Sequence, residues 1–232
     1  MKKAIGIILC LAVLICASIV GVRTYSGQKI KKLEETVSPI PETVKALPVT
    51  ENEVCYAFDV FDAKKLVGFV DYVFVAKVEE ITGTVYESVV YDRKAGTYTG
   101  TPYTCCKITV IENIKGNLKL NETIPMRSLG GVSVDGKSYY KYGQGDELEI
   151  GRYYLFLGYA DKNGELYVCD TNATIVLEFS QSIKSGTIQT QNSAPDALLE
   201  KNSDLINKYK DAFQNQDLSV RAGERYNSKY DS

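Results

Sequence analysis

The chain has 232 residues, a formal net charge of −2, 44% hydrophobic and 24% charged residues, and neither His nor Trp. A balance this near neutrality excludes a globally basic nucleic-acid binder. The missing His excludes Ser-His-Asp and Cys-His catalysis and every His-ligated metal site.

Lys2 and Lys3 precede an uncharged stretch, Ala4 to Val22, closed by Arg23. At about 1.5 Å per residue its roughly 19 positions just span a bilayer core of about 30 Å. Residues 1–23 therefore read as a single transmembrane helix that anchors the chain through residues 4–22. Secretion after signal cleavage is the alternative, although the run is long for a signal and Cys16-Ala17-Ser18 is a poor cleavage site. Lys2 and Lys3 favour a cytoplasmic N-terminus, while Arg23, Lys29, Lys31 and Lys32 oppose it. The β-rich chain that follows reads as exported, which puts the domain on the extracytoplasmic side of the cell membrane. Residues 24–52 read as a stalk, helical for a turn or two over Lys29 to Val37 and then extended by Pro39, Pro41 and Pro48.

Residues 53–190 read as one domain. Asp62 to Phe69 is a short helix capped by Asp62. Tyr72 to Tyr86 is a strand rich in Val, Tyr, Phe and Thr, and Glu87 to Gly100 is a polar loop. Strands follow at Tyr103 to Ile114, ended by Lys115-Gly116, and at Glu122 to Leu129, ended by Gly130-Gly131. Asp135-Gly136 marks a hairpin within Val132 to Tyr142, and Asn163-Gly164 a second turn joining Arg152 to Tyr159 with Glu165 to Cys169. Thr174 to Phe179 and Ser182 to Ile188 are weaker strands. Residues 191–215 carry an amphipathic C-terminal helix with Pro195 near its first turn. Residues 216–232 are polar and read as disordered. The pattern predicts a mainly β fold, a small antiparallel barrel flanked by a short N-terminal and a C-terminal helix.

Cys55, Cys105, Cys106 and Cys169 lie outside the apolar stretch and allow three pairings. Free buried thiols and a single bridge from Cys55 to one of the vicinal pair are both open. Cys105 and Cys106 point to opposite faces of a strand, so at most one faces the core. No Cys-x-x-Cys pair or other ligand-spaced cluster predicts a metal or a cofactor.

Five segments carry a family resemblance: DAKKLVGFVDYVFVAKV (62–78), TCCKITVIENIKG (104–116), IPMRSLGG (124–131), IGRYYLFL (150–157) and ELYVCD (165–170). Together they resemble uncharacterised bacterial exported domains built on an OB-like barrel, similar to the TIMP and netrin-module barrel. The resemblance implies a helix before a V-x-V-x-x-V strand, a second strand ending in Lys-Gly, a third in Gly-Gly and a fourth in Leu-Phe-Leu. TIMP inhibitors act through a free N-terminal cysteine. Here the anchor and stalk precede Cys55, so that activity does not carry over, and fold alone does not give function.

Tyr139, Tyr140, Tyr142 and Tyr153 are the candidate binding residues, since aromatics on an exposed strand stack on sugars or bases. Asp146, Glu147 and Glu149 supply the only clustered carboxylates near them. Between Thr101 and Gly145 six basic residues face three acidic ones, a local excess that reads as solvated strand faces. The sequence thus predicts a non-catalytic, membrane-tethered extracytoplasmic module that recognises a protein or cell-envelope polymer. The alternatives are an envelope hydrolase using paired carboxylates and single-stranded nucleic-acid binding by an OB-like face, which export disfavours.

Overall fold

Runs of Val, Tyr, Phe and Leu over residues 72–76 and 153–157 make both stretches strands, and pairing them with each other closes a barrel. In this computed structural model the described residues are 26–39, 46–55, 57–143, 145–168, 172–178, 195–221 and 223–232, with the backbone of 182–184 and 187–189. The expected span at 4–22 lies outside them, and among the described residues no helix is long and apolar enough to cross a membrane.

The elements in chain order are α1 (26–35), β1 (Val49–Asn52), α2 (Ala63–Phe69), β2 (Tyr72–Asp92), β3 (Thr97–Lys115), β4 (Thr123–Leu129), β5 (Gly131–Val132) and β6 (Tyr139–Tyr142). They continue with β7 (Tyr153–Ala160), β8 (Leu166–Val168), β9 (Thr174–Val176), β10 (Ser182–Lys184), β11 (Thr187–Gln189), α3 (Pro195–Lys201) and α4 (Ser203–Gln214). Five strands form the closed barrel in the order β2-β3-β4-β8-β7, with β7 returning to β2 and β9 added beside β7. Every barrel pair is antiparallel except β4 with β8, which among the described residues is held by two rungs, Arg127 with Tyr167 and Ser128 with Val168. Closure leaves this Val- and Tyr-rich sheet without free edges over its central part.

Phe74, Tyr154 and Phe156 are fully buried and touch ring to ring at 5.5 Å. Burying each such side chain is worth about 1.5–3 kcal/mol. Residues 72–76 and 154–158 are buried on both faces, because α2, α3 and α4 join the same core from outside through Leu66, Val67, Leu198, Ile206 and Tyr209. Cys106 lies in that core, whereas Cys105 is buried outside it, as strand alternation requires. Both thiols are free, as is that of exposed Cys55, so no bridge joins Cys55 to the vicinal pair. Cys169 lies outside the described residues.

Four expectations need correction. The polar stretch 87–100 is not a loop: β2 and β3 run on to Asp92 and Thr97 as a long hairpin, because its β-branched and Tyr residues pair across the strands even where both faces are polar. Its turn is built by Asp92, whose Oδ1 accepts from the backbone N–H groups of Lys94 and Ala95, with Gly96 at φ +68°. The stalk is docked on the domain. Ser38 bridges Thr84, and β1 pairs in parallel with β6 in a small outer sheet ordered β1-β6-β5. The C-terminal helix breaks at Asn202, whose amide side chain bonds both backbone groups of Glu178 at 3.0 Å.

The fourth correction is the tail, which is ordered over its described residues. A helix leaves its last carbonyls without partners, and the end of α2 draws three cations. Lys115 Nζ donates to the carbonyls of Val67 (2.7 Å) and Val70 (2.6 Å), Arg225 to those of Gly68 and Val70, and Arg221 to that of Phe69 (2.9 Å). Arg221 and Arg225 also pair with the two carboxylate oxygens of Asp71, at 2.7 and 2.6 Å. Asp217 N–H bonds the Lys64 carbonyl, and the tail passes so near α2 that a Cβ on Gly68 would meet the Asp217 carbonyl oxygen at 1.9 Å. Gly68→Ala is therefore expected to cost about 1–3 kcal/mol by overpacking and to expose the tail. Urea unfolding and limited proteolysis of the full chain in detergent check this. An unchanged midpoint with a protected tail would show that the contact is not tight.

Candidate functional site

The structure gathers most of the residues singled out in the sequence around one cleft. Tyr139, Tyr140 and Tyr142 of β6 line it on one side, Asp146 and Glu147 on another, and Thr104 and Thr174 belong to the barrel. Its volume is about 40 Å³, room for a few waters and not for a sugar ring. Tyr139 turns toward the barrel, with its hydroxyl bonded to Thr104, and burial pushes its pKa up. Tyr140 and Tyr142 fall on the other face of the strand by alternation. Tyr153 does not join them: it sits on β7 opposite Lys77 and packs against the core.

The carboxylates beside the cleft serve the backbone. Asp146 Oδ2 accepts from Val176 N–H at 2.8 Å, and its own N–H reaches the Thr174 carbonyl, so the residue splices the 145–149 segment onto β9. Glu149 pairs with Arg152 at 3.3 Å. The Tyr154 hydroxyl donates to the Glu147 carbonyl and accepts from Glu149 N–H. Among the described residues no group of three or more His, Cys, Asp or Glu is placed to hold a metal ion.

A second hollow, of about 380 Å³, went unnoticed in the sequence. Tyr159, Tyr167, Tyr226, Glu87, Lys162 and Arg221 line it. Tyr159 and Tyr167 stack with centroids 6.0 Å apart and planes 9° apart, and Tyr103 meets Tyr167 edge-on at 5.6 Å. The Tyr167 hydroxyl accepts from Arg127 Nη1 at 2.7 Å and donates to Glu87 Oε1 at 3.0 Å. Arg221 lies over the Tyr159 ring at 5.7 Å. Arg127 and Tyr167 face each other across the two-rung β4–β8 pair, so this chain also fastens the barrel seam. The alternating aromatics are visible in the sequence, but their convergence needs the parallel pairing and the docked tail.

A wider hollow, about 670 Å³, opens between the tail and the barrel, bounded by Asp71, Tyr72, Lys115, Gln216, Arg225 and Asp231. Several of its polar groups are engaged: Lys115 gives its remaining proton to Gln216 Oε1 (2.7 Å), and the Tyr72 hydroxyl donates to Asp231 Oδ2 (2.9 Å) and accepts from Ser228 N–H (2.6 Å). Asp231 Oδ1 is buried without a hydrogen-bond partner among the described residues. Burial, with Arg225 adding to it against the pull of Asp71, lowers the Lys115 pKa to about 8. Burial raises those of Tyr72 and Tyr167 above the ordinary phenol value.

No family model matches the chain, and no curated protein is detectably similar to it.

The perturbed groups fix the pH dependence of stability. Above about pH 8 an unfolded chain keeps a proton on Lys115 that the folded chain has released, which raises stability with pH. From about pH 9 the unfolded chain loses thiol protons that buried Cys105 and Cys106 retain, and above about pH 10 phenolic protons that buried Tyr72 and Tyr167 retain, which outweighs the lysine and lowers stability. Urea midpoints of the full chain should climb from about pH 8, pass a maximum near about pH 9 and then drop. Lys115→Met should abolish the climb and keep the drop. A flat profile from pH 8 upward in the native chain would overturn the assignment.

Proposed function

We propose that the chain is a membrane-tethered extracytoplasmic binding module, anchored through residues 4–22, that recognises a cell-envelope polymer or protein without chemical turnover. The observation that carries the reading is the aromatic hollow of Tyr159, Tyr167 and Tyr226. Its volume suits a ligand of a few rings. Stacked phenol faces bordered by Glu87, Lys162 and Arg221 offer the apolar platform and polar rim that a polysaccharide or glycopeptide needs. The carboxylates that a hydrolase would use are Asp146 and Glu147. Asp146 is committed to a strand amide, and the cleft they border, about 40 Å³, is too small for a sugar ring.

The strand order with its single parallel pair supports the OB-like reading of the barrel and the likeness to the TIMP and netrin-module barrel. On OB barrels the faces of the second and third strands and the neighbouring loops bind ligands. The corresponding strands here are β3 and β4, which carry Tyr103 and Arg127 at the edge of the hollow.

Two measurements test the proposal. On intact cells a membrane-impermeant maleimide should label exposed Cys55, as read by peptide mass spectrometry. Labelling only after lysis would put the domain inside. Full chain in nanodiscs should then bind isolated envelope polysaccharide. Tyr226→Ala, which removes a half-exposed ring bonded only to its neighbour Glu224, should weaken that binding by about fivefold to tenfold. Tyr140→Ala with Tyr142→Ala should leave it unchanged. The reverse pattern would move the site to the small cleft, and no binding by the native chain would end the polymer reading.

A further inference from the structure

We propose that the tip of the long hairpin, residues 90–98, rests on the membrane and seats on anionic lipid headgroups. The inference rests on the reading of residues 4–22 as an anchor and adds a contact that the anchor alone does not supply.

The path of α1 carries the argument. Ser38 bridges Thr84, with paired backbone bonds of 2.7 and 2.8 Å. One stage toward the N-terminus, Glu34 accepts from Val89 N–H at 3.1 Å. Earlier still, Lys29 Nζ lies 4.6 Å from the centre of the Tyr98 ring. Tyr98 pairs with Tyr91 on the last rungs before the turn. Moving back along the chain therefore means moving out along the hairpin, and Ser26 begins its helix beside the tip. From Val22, the last residue of the uncharged stretch, to Ser26 is four Cα–Cα steps, at most about 14 Å when fully extended. A chain anchored by 4–22 thus holds Ser26 within about 14 Å of the membrane boundary, at the end of α1 whose Lys29 reaches the tip.

The composition of the tip fits that place. Val90 and Tyr91 are 57% and 47% exposed, an apolar pair at the end of a ribbon that meets no other strand among the described residues. The Tyr91 and Tyr98 rings touch at 5.1 Å. Tyrosine concentrates at membrane–water interfaces, where its ring meets the acyl boundary and its hydroxyl stays wet. Around the pair stand the exposed cations Arg93, Lys94, Lys29 and Lys32. The nearby acids offset part of this charge: Asp92 and Glu34 remain carboxylates although backbone amides bond them, and Glu35 pairs with Lys31 at 3.7 Å, so five cations (Lys31 included) against three acids leave an excess of two positive charges. Each cation near an anionic bilayer attracts it by about 1 kcal/mol, roughly a fivefold shift in occupancy. A protein partner or a nucleic acid would find the same charges, but the short tether places a lipid surface there first.

The chain has no Trp, so Tyr91→Trp installs a single reporter at the tip. Leu120→Trp is the control, since Leu120 is 48% exposed on the β3–β4 connection, at the opposite end of β3. The full chain is reconstituted in vesicles of phosphatidylcholine and phosphatidylglycerol that contain lipids brominated near the headgroup. The Y91W chain should show blue-shifted emission and strong quenching, and the L120W chain neither. Adding Arg93→Ala and Lys94→Ala to Y91W should lower tip occupancy by about fivefold for each cation removed. Quenching of Y91W no greater than that of L120W, in chain that survives carbonate extraction, overturns the proposal. Quenching untouched by the double substitution overturns its headgroup part. Release of the chain by carbonate instead sinks the anchor reading itself.

Discussion

Three cations at the carbonyl end of one short helix hold this molecule together. A seven-residue helix is too short to persist alone, and the carbonyls of its last turn need donors from elsewhere. Lys115 supplies them from the barrel, and Arg221 and Arg225 from the tail. Asp71, just past the helix, collects both guanidiniums with its side chain only 10% exposed. The pair with Arg221, 12% exposed, is shielded from solvent and worth more than a surface pair, while Arg225, 35% exposed, contributes less. Helix, barrel and tail are thereby made one unit, and both wide hollows take a wall from the tail.

The Lys-Gly pair that ends β3 shows why two adjacent residues matter for different reasons. Lys115 turns its amine under the helix. Gly116 sits at φ +86°, and a Cβ there would lie 2.3 Å from the Tyr72 ring. That ring must occupy the space, because its hydroxyl receives the Ser228 amide and reaches Asp231. Tail order therefore depends on a missing side chain in the barrel as much as on the charges of the tail. Likewise the stack of Tyr103, Tyr167 and Tyr159 joins the β4–β8 seam to Glu87 of the hairpin on one side and Arg221 of the tail on the other. The geometry of the hollow then follows from the same bonds that close the barrel.

The surface divides by what each side chain is free to do. Lys107 pairs with Glu80 and Lys119 lies near Glu122, while Lys115 is drawn under α2, so the basic excess of the central strands disperses rather than forming a patch. The exposed cations of the hairpin turn and of α1, far apart in sequence, are instead drawn toward one end of the hairpin by the Glu34–Val89 and Lys29–Tyr98 contacts. Cys106, buried among apolar side chains with its pKa pushed up, is a core residue, and Cys55 offers the reactive thiol.

By itself the sequence determined the local elements, because local rules make them. Asp62 caps α2 through the amides of Lys64 and Lys65, Asp135-Gly136 and Asn163-Gly164 turn their hairpins, and near-continuous apolar runs of β-forming residues build the start of β2 and β7. The missing His removed whole classes of chemistry before any fold was known. Tertiary structure alone decided the rest. The polar tail looks disordered by composition, since nothing in its own residues reveals that Arg221 and Arg225 have orphaned carbonyls waiting some 150 residues away. The stalk looks like a linker until Ser38 finds Thr84 and Val49–Asn52 find β6. Of four tyrosines that look like one site, Tyr139, Tyr140 and Tyr142 line the small cleft while β-pairing holds Tyr153 against the core, and Tyr159, Tyr167 and Tyr226 converge only after the seam closes and the tail docks. Local periodicity is written in neighbouring residues. Which unpaired donor meets which unpaired acceptor across the fold is settled by geometry that no single segment contains.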